Sequence, residues 1–213
     1  MRDGLIPLVA ILAGGKSSRM GEDKAELLIS GIPIIERVWG RVSKIAKEVV
    51  VVGGTPKLDY KGVKTIGDAY VNAGSLGGIA TALDYCRRKL GDEGHVLCIA
   101  CDMPFIKEAL LMRLWELRVG CDVVVPKTQK GYEPLCALYG VGCLQAMLGQ
   151  ISLGDLKIQH LFQKVRAEIL DLDELRKIDP ELTSFTNIND PGDLSEARNQ
   201  AAAMNFELSC VGR

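Results

Sequence analysis

Three short runs are apolar at every position, and they restrict the fold more than anything else in the chain. They are Leu5-Ile6-Pro7-Leu8-Val9-Ala10-Ile11-Leu12, the valines Val49 to Val52, and Val96-Leu97-Cys98-Ile99-Ala100-Cys101. A strand with no polar alternation has to be covered on both faces, which is the condition of a strand inside a parallel sheet. The segments between them have a helical period. Ile34, Ile35, Val38, Trp39, Val42, Ile45 and Ala46 recur at three- and four-residue spacing, as do Ile79, Ala80, Leu83 and Cys86. The pattern predicts a helix before the Glu48–Val52 strand, a short strand over 63–66, a helix over 77–89 and a strand over 95–101. A helix over 107–118 and a strand over 121–125 follow. Alternation of this kind predicts an α/β fold, single-domain and Rossmann-like, with a mostly parallel doubly wound sheet and right-handed crossovers.

The second half is less regular. It reads as a strand over 135–139, helices over 141–148 and 157–165, and short strands over 168–172 and 185–187. Pro191 suits the first turn of a last helix, with Asp190 as its N-cap.

Where the first apolar run ends, the sequence turns into Ala13-Gly14-Gly15-Lys16-Ser17-Ser18-Arg19-Met20-Gly21, closed by Asp23-Lys24. Two glycines let consecutive backbone N–H groups close around phosphate oxygens, and Lys16, Arg19 and Lys24 add mobile positive charge. The spacing is not that of the P-loop, because Gly21 is followed by Glu22-Asp23, and GxGxxG is absent. A kinase or dinucleotide-binding reading loses its support. The alternative is an ordinary solvated strand-to-helix loop.

The other polar residues also fall just after strands, where ligands bind in doubly wound sheets. Asp102 ends an apolar run ahead of Met103-Pro104, so its carboxylate can join a hard Mg²⁺ to phosphate oxygens or, alternatively, cap the next helix. Asp68 follows Ile66-Gly67 and reads either as a contact to the nucleotide or to the water shell of the metal, or as a turn aspartate. Gly74, Gly77 and Gly78 open a helix where backbone groups could face a base edge. Asn187 and Asn189 alternate on one extended segment, which places both amides on one face. Turn asparagines are the competing reading.

The loop LAGGKSSRMGEDK resembles the signature of nucleotidyltransferases that join a nucleoside monophosphate to a phosphorylated acceptor. Within that superfamily the chain is most similar to the molybdenum cofactor guanylyltransferases, which couple GTP to molybdopterin. Asp68, Ala73-Gly74-Ser75-Leu76-Gly77-Gly78, Cys101-Asp102-Met103-Pro104 and Phe185-Thr186-Asn187-Ile188-Asn189-Asp190-Pro191 extend the likeness, in the family's order, from residue 5 to about residue 200.

The resemblance implies a fold of the nucleotide-diphospho-sugar transferase type. It also implies one domain over 1–213, with a nucleotide half of about 1–104 and an acceptor half of about 105–204. It places Leu12, Ala13, Gly14, Gly15, Lys24, Asp68, Gly78 and Asp102 on the nucleotide, with Asp102 as the Mg²⁺ ligand. Lys16 and Arg19 fall on the β- and γ-phosphates that leave, and Lys24 on the α-phosphate that is attacked, so Arg19, Lys24 and Asp102 carry the catalysis. Asn187 and Asn189 lie on the acceptor side, and Glu133-Pro134-Leu135 belongs to the same region. A metal-insertion protein and apo-molybdoenzymes are further implied partners. One departure is Gly53-Gly54, where relatives often have asparagine.

Composition excludes several other classes. The 26 basic and 27 acidic residues leave a net charge of −1, which offers no field for nucleic acid or anionic membrane. No stretch reaches the roughly 18 apolar residues of a membrane span, so a cytoplasmic protein is expected. Seven cysteines argue against a disulfide framework, and Cys98 and Cys101 should point to opposite faces of their strand. The two histidines, His95 and His160, adjoin no Ser or Cys motif of a hydrolytic triad and read as structural. The remaining rivals are a cytidylyltransferase on the same pterin, a sugar-phosphate nucleotidyltransferase, and a non-catalytic nucleotide-binding adaptor that delivers cofactor.

Overall fold

The computed structural model describes residues 4–14, 23–53 and 61–211, with the side chains of 204–211 left aside. In chain order the elements are β1 (Ile6–Leu12), β2 (Leu28–Ile29), β3 (Ile32–Pro33), α1 (Ile34–Val42), β4 (Ala46–Val52), β5 (Lys64–Ile66), α2 (Gly74–Leu90) and β6 (His95–Ala100). They continue as α3 (Glu108–Glu116), β7 (Val123–Thr128), β8 (Gly131–Tyr132), β9 (Cys136–Gly140), α4 (Leu144–Ser152), β10 (Ala167–Leu170), α5 (Leu172–Ile178) and α6 (Pro191–Val211).

The main sheet has the order β10-β7-β9-β6-β1-β4-β5, with β8 paired to β7. β1 runs parallel to both β4 and β6, β4 to β5, and β7 to β10. β9 is antiparallel to both of its neighbours. The sheet is therefore mostly parallel, as the apolar runs require, with two reversed strands, β8 and β9, in the second half.

The coverage of both faces is visible in how the strands divide their side chains. Val9, Ile11, Val51, Leu97 and Ile99 pack on one face with Ile35 and Val38 of α1, Leu110 and Leu114 of α3, and Leu175 of α5. Leu8, Ala10, Val50, Val52, Val96 and Cys98 pack on the other with Ile79 and Leu83 of α2 and Met147 of α4. Cys98 and Cys101 fall into these opposite clusters, as the strand period demands. The cysteines among the described residues are free.

The chain passes from β1 through α1 on one face to β4, and then from β5 through α2 on the other face to β6. The strand order thus reverses beside β1, and the crevice at the carboxyl ends of β1 and β6 lies at that switch point. A third cluster, with Ile29, Ile34, Phe105, Ile188, Leu194 and Ala197, seats the β2–β3 hairpin and α6 beside the segment after β6. Among the described residues, no helix is long and apolar enough to cross a membrane.

Two of the predicted segments take another form. Residues 158–163 form a 3₁₀ helix rather than an α-helix. The Gln150 amide donates to Asp155 O and Lys157 O, which pins the chain just before this turn. Residues 185–187 are not a strand, since Thr183–Phe185 is a 3₁₀ turn. Leu182 is left-handed at φ 52°, and the buried Asp179 carboxylate accepts from Ser184 N at 2.7 Å. A backbone amide held by a side chain is lost to a strand ladder.

Candidate functional site

The sheet's hydrogen bonding runs just past the strand ends and sets the floor of the crevice. Ala13 N donates to Val52 O at 2.9 Å, and Cys101 N donates to Leu12 O at 3.1 Å. Ala13 and Gly14 therefore emerge between the ends of β4 and β6. Gly53 closes one wall at φ +77°, where a Cβ would lie 2.9 Å from Gly14 Cα. Both the backbone angle and the contact require glycine there. The departure seen at Gly53 in the sequence is thus a close approach of two bare backbones.

Above this floor is a cleft of about 590 Å³ lined by Leu12, Ala13, Gly14, Lys24, Asp68, Gly78 and Asp102. All seven are among the sequence-predicted nucleotide positions. Gly15, Lys16 and Arg19 lie outside the described residues. The 17-residue helix α2 starts at the cleft. Its N-cap, Ala73, makes no side-chain bond to the first turn, whose N–H groups are the positive end of the helix dipole. A Cβ on Gly78 would sit an ordinary 3.7 Å from Leu12, whereas one on Gly77 would sit 2.6 Å from Tyr70 O. Gly77 thus serves the packing of α2, and of the three predicted glycines Gly74 and Gly78 line the cleft.

Lys24 opens a short 3₁₀ turn that Asp23 caps by accepting from Ala25 N at 3.1 Å. Its Nζ donates to Asn189 Oδ1 at 3.0 Å. Asp102 does not cap a helix, because α3 begins at Glu108 with Lys107 as its N-cap. Burial pushes the Asp102 carboxyl above the usual carboxylate range, the Lys24 charge pulls it back, and Asp193 adds a further upward push. The Asp102 carbonyl accepts from Ile188 N at 3.2 Å, which fixes the asparagine segment against the end of β6.

A second cavity of about 190 Å³ adjoins the first, sharing Ala100, Asp102 and Leu135 with it. Asn187, Asn189 and Glu133 line it. Asn187 Oδ1 is buried without a hydrogen-bond partner, and burial raises the Glu133 carboxyl against the bond it accepts from Thr128. An acceptor left unpaired in a cavity is suited to a ligand donor.

Asp68 lines the cleft, and its Oδ1 accepts from Tyr70 N at 3.0 Å as a turn aspartate does. The histidines lie elsewhere. His95 approaches Glu93 O and Cys121 O in a separate cavity, and His160 bonds to Asp155.

Sequence reasoning missed Asp193, Asn72 and Thr81. Asp193 accepts from Asp190 N at 3.2 Å and from Asn189 N at 2.7 Å, while Asp190 accepts from Asp193 N at 3.0 Å, a reciprocal capping pair that the Asp-Pro-Gly-Asp spacing could have revealed. Asn72 lines the cleft at φ +66°, a conformation asparagine tolerates. Nothing local marks Thr81, whose partners lie 4 to 13 residues away.

Residues 9–169 match the MobA-like NTP transferase domain. A molybdenum cofactor guanylyltransferase of Desulfosudis oleivorans is 36% identical over 191 residues, covering 88% of this chain and 92% of that one. The crystal structure of molybdopterin-guanine dinucleotide biosynthesis protein A from Archaeoglobus fulgidus superposes with a TM-score of 0.78 at 32% identity, covering 92% of this chain and 99% of the other. A nucleotidyl transferase from Methanothermobacter, at 21% identity and a TM-score of 0.69 over 93% and 99% of the two chains, shares the fold. Because the matched span runs from β1 through β10 and so includes the strands whose ends build the cleft, the chain belongs to the MobA-like NTP transferase family.

Proposed function

We propose that the protein transfers GMP from GTP to molybdopterin, releasing pyrophosphate and forming the guanine dinucleotide form of the cofactor. The observation that carries this reading is the pair of adjoining cavities with Asp102 common to both. The larger takes the nucleotide, with Leu12, Ala13, Gly14, Asp68 and Gly78 around it and Gly15 assigned to it from the sequence alone. The smaller takes the acceptor against Asn187 and Asn189, where an unpaired amide oxygen suits the N–H-rich edge of a pterin. The D. oleivorans relative bears the name of this activity.

The acceptor phosphate attacks the α-phosphorus, and pyrophosphate leaves. Such a phosphate is already ionised at neutral pH, so no general base is required, and neither histidine lines the cleft. Lys24 stabilises charge on the attacked α-phosphate, while Lys16 and Arg19 stabilise the leaving β- and γ-groups. Charges fixed before they are needed are the main source of rate in such transfers.

Asp102 is the residue that would hold Mg²⁺. Among the described residues no cluster of three or more His, Cys, Asp or Glu could hold a metal ion by itself. A single carboxylate fits Mg²⁺, which keeps several waters and takes its other ligands from substrate phosphates, and it does not fit structural zinc. When bound, the ion would withdraw charge from the phosphate oxygens.

The same reading takes residues 1–213 as one cytoplasmic domain, with a nucleotide half up to about 104 and an acceptor half over 105–204. It includes hand-over with a metal-insertion protein and apo-molybdoenzymes. The test is product identification. The full chain incubated with GTP, magnesium and molybdopterin should yield the guanine dinucleotide by mass. Recovery of unchanged molybdopterin would refute the acceptor.

A further inference from the structure

The Asp68 carboxylate in the nucleotide cleft is not free to turn. Its Oδ1 accepts from Tyr70 N and from Thr81 Oγ1, each at 3.0 Å. Thr81 lies on α2, 13 residues further along, and is 3% exposed. Its oxygen also accepts from Ala69 N at 3.0 Å and lies 2.8 Å from Gly77 O. A hydroxyl has one proton, and here two acceptors share it. Gly77 O, the helical acceptor one turn back, is the nearer, and the charged Asp68 carboxylate competes with it for the proton. One side chain thus ties together the first turn of α2, the loop after β5 and the Asp68 carboxylate.

This arrangement divides the labour of the two carboxylate oxygens. Oδ1 is consumed by the protein, and among the described residues no hydrogen bond reaches Oδ2. A carboxylate oxygen takes hydroxyl or ring N–H donors and repels phosphate oxygens. The nucleoside part of the ligand carries such donors, and the ionised triphosphate does not.

We infer that Thr81 is a positioning residue for nucleoside recognition, its hydroxyl holding Asp68 with one oxygen turned to the ligand. The inference rests on the nucleotidyltransferase reading above. A threonine that merely bonds back to its own helix would need no carboxylate partner, and the two roles separate experimentally.

The test is equilibrium binding of GTP and of inorganic tripolyphosphate to the full chain, without acceptor or turnover. Thr81→Val should weaken GTP about tenfold, the scale of one charge-assisted hydrogen bond, and leave tripolyphosphate unchanged. Thr81→Ser should bind GTP within about twofold of the parent protein. In an Asp68→Ala background, Thr81→Val should add no further loss. If Thr81→Val folds poorly, Thr81→Ala carries the same comparison.

Parent-like GTP binding by Thr81→Val would overturn the inference. So would an undiminished loss in the Asp68→Ala background, which would mark a helix effect independent of the carboxylate. A parent protein that binds no GTP at all would overturn the nucleotidyltransferase reading, and the inference with it.

Discussion

Lys24 and Asn189, 165 residues apart, are joined by a hydrogen bond of 3.0 Å from Nζ to Oδ1. The cation assigned to the attacked phosphate is therefore held by the segment assigned to the acceptor, at the boundary of the two cavities. A mobile lysine fixed by a neutral amide keeps its charge, so it is ready for phosphate without having to break an ion pair with Asn189. Lys24→Ala should lower kcat by about a hundredfold, the cost typical of removing one transition-state donor, while GTP affinity falls far less. Steady-state kinetics with separate GTP binding checks it. An equal loss in both would place Lys24 in ground-state binding.

Asp102 is half-buried, and the positive charge of Lys24 only partly offsets the cost of keeping it ionised. Asp102→Asn keeps the shape and removes that cost. It should abolish magnesium-dependent transfer while the melting temperature stays the same or rises. Thermal unfolding without ligand, paired with turnover, checks both halves. Normal turnover in this variant would refute the metal assignment.

Much of this was legible because the signals were local. The runs ending at Leu12, Val52 and Ala100 predicted the buried parallel strands, and with them the positions of Gly14 and Asp102 at the carboxyl ends. What was not legible depended on distant partners. The sequence of β9 does not state its direction, because an apolar strand pairs either way and its reversal is decided by β6 and β7 on its two sides. Residues 185–187 have the composition of a strand, yet the Asp179 carboxylate takes the Ser184 amide. Thr81 looks like any helical threonine until the loop after β5 is placed beside it.

Gly53 tests the close approach at the floor of the cleft. Gly53→Ala places a methyl group 2.9 Å from Gly14 Cα at a backbone angle of +77°. The variant should lose about 1–3 kcal/mol of stability and bind GTP more weakly, because Gly14 must move. Denaturant unfolding and GTP titration measure the two effects. An unchanged GTP affinity would separate Gly14 from the nucleotide.

Asp179 tests how the asparagine segment is held. Burial would raise its carboxyl, but the Lys107 ammonium at 2.8 Å and the Ser184 amide hold it below the usual range. A carboxyl depressed in the folded state contributes stability above its unfolded value of about 3.9, and this is lost as pH falls through the folded value. Urea midpoints should therefore drop below about pH 4, and Asp179→Asn should flatten that acid limb. Asp179→Ala leaves Ser184 N and Lys107 without their partner and should cost about 2–4 kcal/mol at neutral pH. A flat acid limb in the parent protein would contradict the assignment.

Transfer of GMP is read by magnesium-dependent pyrophosphate release with molybdopterin as acceptor, with GTP and CTP compared as donors. Release with GTP, absent without acceptor and absent in Asp102→Asn, is the predicted result. Release with CTP in place of GTP, or none with either nucleotide, would contradict it.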